Sequence, residues 1–167
     1  MGTDISGWVE IQMMEPPDEY WSTVIIIDSL LGRNYDMFAL LFGVRNSAGF
    51  LPLAEQRGFP LHIALKTKEL AEENLLESIS WIGWWEIQLI DWTIKSTLPT
   101  TVSYIAQNGS IERVIGNLGP LADEIQKEYI TREDALDENW QLLFGLMEQL
   151  GQRFGNESVR LVVGFDA

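Results

Sequence analysis

Four of the chain's seven tryptophans fall within one stretch, Ser78 to Lys95, near the middle of the sequence. Trp81, Trp85, Leu89 and Trp92 recur there at i, i+4, i+8 and i+11, which places them on one side of a helix. Ile82 and Ile90 widen that side. The spacing predicts a mostly buried helix over 78–95 against which the other elements pack. Each large aromatic buries about 150–250 Å², so such a helix would hold much of the core. Glu86, Gln88 and Asp91 interrupt the apolar run, which rules it out as a membrane span. The same tryptophans admit a second reading, as a surface for a partner, because tryptophan is enriched at interface hot spots.

A chain of 167 residues with 46% apolar residues suits one globular domain with a sizeable core. Cysteine is absent, so there is no disulfide framework and no thiolate metal site. The opening Met-Gly-Thr-Asp-Ile lacks the basic and apolar regions of a secretory leader, which fits a cytoplasmic protein. The net charge of −14 predicts repulsion from bare nucleic acid and anionic membranes, and attraction to a basic protein surface. The charge is uneven. Only in residues 29–68 do bases (Arg33, Arg45, Arg57, Lys66, Lys68) outnumber acids (Asp36, Glu55).

Alternation of Ile5, Val9, Ile11 and Met13 against Asp4, Ser6, Trp8 and Glu10 predicts a half-buried strand over 4–13. Pro16-Pro17-Asp18 makes a turn, and the β-branched run 20–27 is the other arm of a hairpin. Asn34 is placed to cap a short helix over 35–42, with Gly43 at its C-terminal end. Residues 43–60, with three glycines and two prolines, make a long ordered loop. Thr67 is placed to cap a helix over 68–76. Residues 100–106 read as extended, and Asn108-Gly109 turns them into a return arm over 111–115. A helix follows over 121–129. Thr131-Arg132-Glu133-Asp134 resembles a capping box opening a helix with Leu136, Trp140, Leu143, Met147 and Leu150 on one stripe. Residues 158–165 alternate as a last strand, expected in the same sheet as the first. The expected architecture is one α+β domain over residues 1–167, an antiparallel sheet with helices packed on one face.

The usual catalytic engines are missing. His62 is the single histidine, and no Gly-x-Ser-x-Gly, Gly-x-x-x-x-Gly-Lys or Gly-x-Gly-x-x-Gly motif is present. No catalytic residue, metal ligand or cofactor is therefore assigned. A hydrolase using a carboxylate-bound divalent cation would need Asp4, Glu10 or Glu77 to converge. The positive hint is the arginine series, in which Arg33, Arg45 and Arg57 each lie within two residues of a glycine. Glycine lets backbone N–H groups approach a ligand, and arginine forks onto phosphate or carboxylate. With Tyr35, these three arginines form the candidate ligand-binding set, with Asp4 and Asp36 as internal compensators. The competing reading pairs each arginine with one of the chain's 25 carboxylates.

The start Met-Gly-Thr-Asp-Ile-Ser-Gly-Trp-Val-Glu resembles a family of small phage and prophage proteins that open Met-Gly-Cys-Asp-Ile-His. Their further motifs correspond here to Arg33, Tyr35 and Phe38; Gly43-Val44-Arg45; Arg57-Gly58-Phe59-Pro60; Ser78, Ser80, Trp81 and Ile82; and Phe165-Asp166. Where those proteins carry Cys and His, this chain has Thr3, Ser6, Glu77 and Ile79, which removes side chains able to hold a metal. The resemblance implies an accessory protein in an infected bacterial cytoplasm. It implies no biochemical function, and the residues leave three: from the acid excess, non-enzymatic binding to a host protein with a basic surface, such as a defence or nucleic-acid-processing component; from the arginines, sequestration of a phosphate-bearing small molecule such as a nucleotide signal; or, from the carboxylates, the divalent-cation hydrolase.

Overall fold

The computed structural model describes residues 2–15, 18–105, 108–115 and 124–166. The fold is α+β, as expected, and among the described residues every strand pairing is antiparallel. The chain divides into two compact units. One comprises Met1–Asn34, Ala54–Ile90 and Asp137–Ala167, the other Tyr35–Leu53 and Asp91–Leu136. Among the described residues no helix is long and apolar enough to cross a membrane.

The first unit is built on a four-stranded sheet. Strand β1 (Ile5–Glu15) forms a hairpin with β2 (Asp18–Ile26), and the order across the sheet is β2-β1-β7-β3, with β3 at Glu77–Gly83 and β7 at Val159–Phe165. The prolines of the expected turn lie outside the described residues. The first and last strands lie side by side, in register from Ile5 opposite Phe165 to Ile11 opposite Val159. Alternation had suggested one buried face. Instead both are covered: Ile5, Val9 and Ile11 are buried on one side of β1, and Trp8 and Glu10 on the other. All seven residues of β7 are buried.

Helix α2 (Leu65–Glu73) starts three residues earlier than the capping argument placed it. Thr67 is not its cap. It lies fully buried within the helix and shares a hydrogen bond with Thr23 of β2 (2.8 Å). Helix α5 (Glu138–Phe154) carries the strongest stripe, with Trp140, Leu143 and Met147 fully buried. It is opened by Asp137, whose carboxylate accepts the Trp140 N–H at 2.9 Å, and closed by Gly155 at φ 101°. Gly151 lies in the last turn of this helix. A Cβ there would meet the Trp84 ring at 2.8 Å, so the glycine makes room for an aromatic side chain.

The second unit holds α1 (Tyr35–Phe42), a three-stranded sheet and α4 (Arg132–Ala135). Helix α1 has the bounds the sequence predicts, and Gly43 beyond it adopts φ 73°. Strands β4 (Thr101–Ile105) and β5 (Ile111–Ile115) form the Asn108-Gly109 hairpin, with Gly109 at φ 80°. The expected helix over 121–129 is overturned where it can be seen. Residues 124–128 form strand β6 (Glu124–Glu128), which pairs with β4, while 121–123 lie outside the described residues. The capping box at Thr131 exists, with Thr131 and Asp134 exchanging hydrogen bonds at 2.8 and 3.1 Å. It opens only the single turn of α4. The chain is extended again at Leu136, so the long helix needs its own cap at Asp137.

Candidate functional site

The tryptophan stretch is not one helix. Residues 77–83 form edge strand β3, and only Trp84–Gln88 are helical, as α3. The change of structure redistributes the tryptophans. Trp84 is buried with its ring 6.1 Å from that of Phe144, and Ile87 is buried beside it on the helix. Trp81 is half-buried on the strand, whereas Trp85 is 46% exposed and Leu89 75% exposed. The expectation that Trp81, Trp85 and Leu89 line one buried face is therefore wrong. A strand turns side chains every two residues and a helix every 3.6, so the change at Gly83 breaks the stripe. Large apolar side chains are left on the surface instead.

Arg57 ties β3 to α3 beside that surface. Its guanidinium grips Glu86 through two bonds, at 2.9 and 2.8 Å, donates to the Trp81 carbonyl at 3.3 Å, and lies 5.1 Å from the centre of the Trp81 ring. Glu86 also accepts the Gly83 N–H at 2.9 Å, the reach of an acid in the first turn back to the helix start. The Gly58 N–H bonds to the Ile79 carbonyl at 2.9 Å and the Arg57 N–H to the Ser80 hydroxyl at 3.2 Å. Segment 57–58 thus covers the outer edge of β3, which would otherwise present unpaired backbone groups.

Burial works to raise the Glu86 pKa, but the Arg57 hydrogen bond, the Gly83 N–H and the arginine charge outweigh it and hold the carboxyl below its ordinary value. A depressed carboxylate stabilises the fold while ionised, and that stability is lost as pH falls through its folded-state pKa. Stability held by Glu86 should therefore persist from neutral pH to about pH 5 and fall away below the ordinary glutamate value of about 4.3. Asp4, Asp91 and Asp134 are also depressed, so wild type alone cannot isolate Glu86. The difference between wild type and Glu86→Gln in urea midpoint does isolate it. That difference should narrow steadily as the pH is lowered from about 6 to about 3; a constant difference would contradict the role assigned to the carboxylate.

The other members of the candidate set are placed as follows. Arg33, exposed, pairs with Asp4 through Nε and through a second bond at 2.9 Å. Arg33 and Arg57, in the same unit, are thus held on different carboxylates. Arg45 is exposed, in the second unit, in the turn after α1, at φ 55°. Tyr35, at the start of α1, sets its ring edge-on to Phe38 at 5.9 Å. Of the two proposed compensators, Asp4 serves Arg33, while burial pushes the Asp36 pKa up. Among the described residues no three His, Asp or Glu side chains form a metal-holding group.

Sequence reasoning missed a buried ion pair. Glu10 is fully buried and Arg160 nearly so; they are cross-strand neighbours joined at 2.7 Å. The other Arg160 nitrogens donate to the carbonyls of Leu61 (3.1 Å) and His62 (3.2 Å), and the Trp21 ring stacks on the guanidinium at 3.6 Å. The second Glu10 oxygen accepts the Ala64 N–H at 3.0 Å. Burial pulls the Arg160 pKa down, and the charge and hydrogen bond of Glu10 act the other way. The available signal was Trp8, a large apolar residue beside Glu10 on the face read as polar.

Comparison with protein-family models, curated proteins and solved structures finds no match for the chain.

Proposed function

We propose that the protein acts without catalysis, by binding another protein through the aromatic surface around Trp81, Trp85 and Leu89. The observation that carries this reading is Trp85, 46% exposed on a helix whose neighbours Trp84 and Ile87 are buried. A partly exposed indole beside the Arg57–Glu86 pair is the side chain most enriched at interface hot spots, with Leu89 as apolar surround. They also lose little conformational freedom on binding. The net charge of −14 favours a partner with a basic surface. The resemblance of the opening residues to phage accessory proteins makes that partner a host defence or nucleic-acid-processing component, met in the bacterial cytoplasm. Sequestration of a phosphate-bearing molecule draws less support, because Arg33 and Arg57 already engage Asp4 and Glu86.

The test is affinity capture from host lysate with wild type and Trp85→Ala side by side, at low and at high salt. The expected result is a protein held by wild type at low salt, weakened at high salt and lost with Trp85→Ala. The melting temperature of the variant should fall less than that of a change at a fully buried tryptophan, since about half of the Trp85 side chain stands in water. A captured set identical for both proteins would refute the reading.

A further inference from the structure

The turn between β4 and β5 carries an asparagine followed by a glycine, and Asn108, Gly109 and Ser110 all stand in water. The Asn108 side chain folds back on its own chain. Its Oδ1 accepts the Ser110 N–H at 2.9 Å and the Ser110 hydroxyl at 2.6 Å. A bond to the backbone two residues on wraps an asparagine side chain around the peptide that lies between. Here that peptide contains the Gly109 nitrogen. Gly109 holds φ 80°, and no atom of the described residues, chain neighbours apart, lies within 4 Å of where a Cβ would stand. The nitrogen is therefore not crowded by a side chain of its own residue.

Two donors on one amide oxygen have a chemical consequence. They draw electron density from Cγ, and they stabilise the negative charge that develops on Oδ1 when a nucleophile adds there. Donors in an oxyanion hole act in the same way. The Gly109 nitrogen is a nucleophile within reach of Cγ through a small ring, and the exposed turn is open to water.

We infer that Asn108 is a self-modification site, at which the hairpin turn converts its own asparagine to aspartate and isoaspartate with water as the only co-reactant. The Gly109 amide gives up its proton to hydroxide, and its nitrogen forms a bond to Cγ of Asn108. Negative charge gathers on Oδ1, held by the two Ser110 donors. The Cγ–Nδ2 bond then breaks and ammonia leaves, taking up a proton, which closes a succinimide. Water opens the ring. Addition at Cγ restores the main chain and leaves an aspartate. Addition at the main-chain carbonyl routes the backbone through Cβ and Cγ and leaves an isoaspartate. Nothing is oxidised or reduced. Either product adds a negative charge to a chain whose net charge is −14. The isoaspartate also lengthens the turn between Ile105 and Ile111, which face each other at the end of the hairpin. The inference is independent of the protein-binding reading.

The experiment incubates the folded protein at mildly acidic and at mildly alkaline pH and maps its peptides by mass spectrometry, with isoaspartate counted by enzymatic methylation. Asn74 and Asn156, exposed asparagines followed by Leu75 and Glu157, serve as internal references. Asn108 should be converted at least about tenfold faster than either, because in both references a Cβ crowds the attacking nitrogen. The rate should rise with pH, since the deprotonated amide attacks. Asn108→Gln should stop conversion at that position, because its ring would be larger by a methylene. Ser110→Ala should slow conversion severalfold, and Ser110→Thr, which keeps the hydroxyl, should restore it. Both positions are exposed, so the variants keep the fold, and equal melting temperatures check this. An Asn108 that survives as long as Asn74 and Asn156, or one lost at a rate indifferent to pH, would overturn the inference. Equal rates in wild type and Ser110→Ala would overturn the activation assigned to the hydroxyl.

Discussion

Replacing Arg160 with methionine should lower the stability of the protein by about 3–5 kcal/mol, the usual consequence of removing one partner of a buried ion pair. The size comes from what is left behind. Glu10 is 0% exposed and would keep only its bond from Ala64, with no cation near it. The carbonyls of Leu61 and His62 would also lose their donors, releasing residues 61–62 from β7. Replacing both charges, as Glu10→Leu with Arg160→Met, should cost far less than the sum of the single changes, because no uncompensated charge remains. Urea unfolding of the three variants checks this. A single-variant loss below about 1 kcal/mol would show that water or another group satisfies the carboxylate.

The second large effect is expected at Trp140. Its side chain is fully buried on α5, packed edge-on to Phe144 at 5.7 Å between ring centres. Trp140→Ala should cost about 3–5 kcal/mol, the range for truncating a large core aromatic. The same change at Trp85, 46% exposed, should cost clearly less, because about half of that side chain already stands in water. The contrast corrects the sequence reading, which placed Trp85 in the core. Equal losses in thermal unfolding would return Trp85 to the interior and remove the aromatic surface.

Local signals were reliable where local chemistry decides. The bounds of α1 followed from an apolar run ending at a glycine able to take φ 73°, and the β4–β5 hairpin from Asn108-Gly109. The pairing of first and last strands was legible because both alternate cleanly. Failures came where tertiary pairing overrode propensity. Residues 124–128 (Glu-Ile-Gln-Lys-Glu) favour helix in isolation, yet they complete a ladder with β4. Residues 77–83 open the helically spaced series Trp81, Trp85, Leu89 and Trp92 and carry a strand's alternation at once, and pairing with β7 selects the strand. A restart at Gly83 then splits the stripe. The arginines were found, but their partners were not. Asp4 lies 29 residues from Arg33, Glu86 29 from Arg57, and Glu10 150 from Arg160, separations that no spacing rule spans. The candidate site was half legible: the tryptophans were read as an interface alternative, while the change from strand to helix at Gly83, which leaves Trp85 exposed, was not foreseen.

The central claim is that the aromatic surface is spent on recognition and not on the core. The most direct measurement is the dissociation constant of the recovered partner for wild type and for Trp85→Ala, titrated at one salt concentration, with both proteins shown to be equally folded. The account predicts a loss of about 30-fold or more, corresponding to a hot-spot contribution of about 2 kcal/mol or above. An unchanged dissociation constant in a folded variant would contradict it.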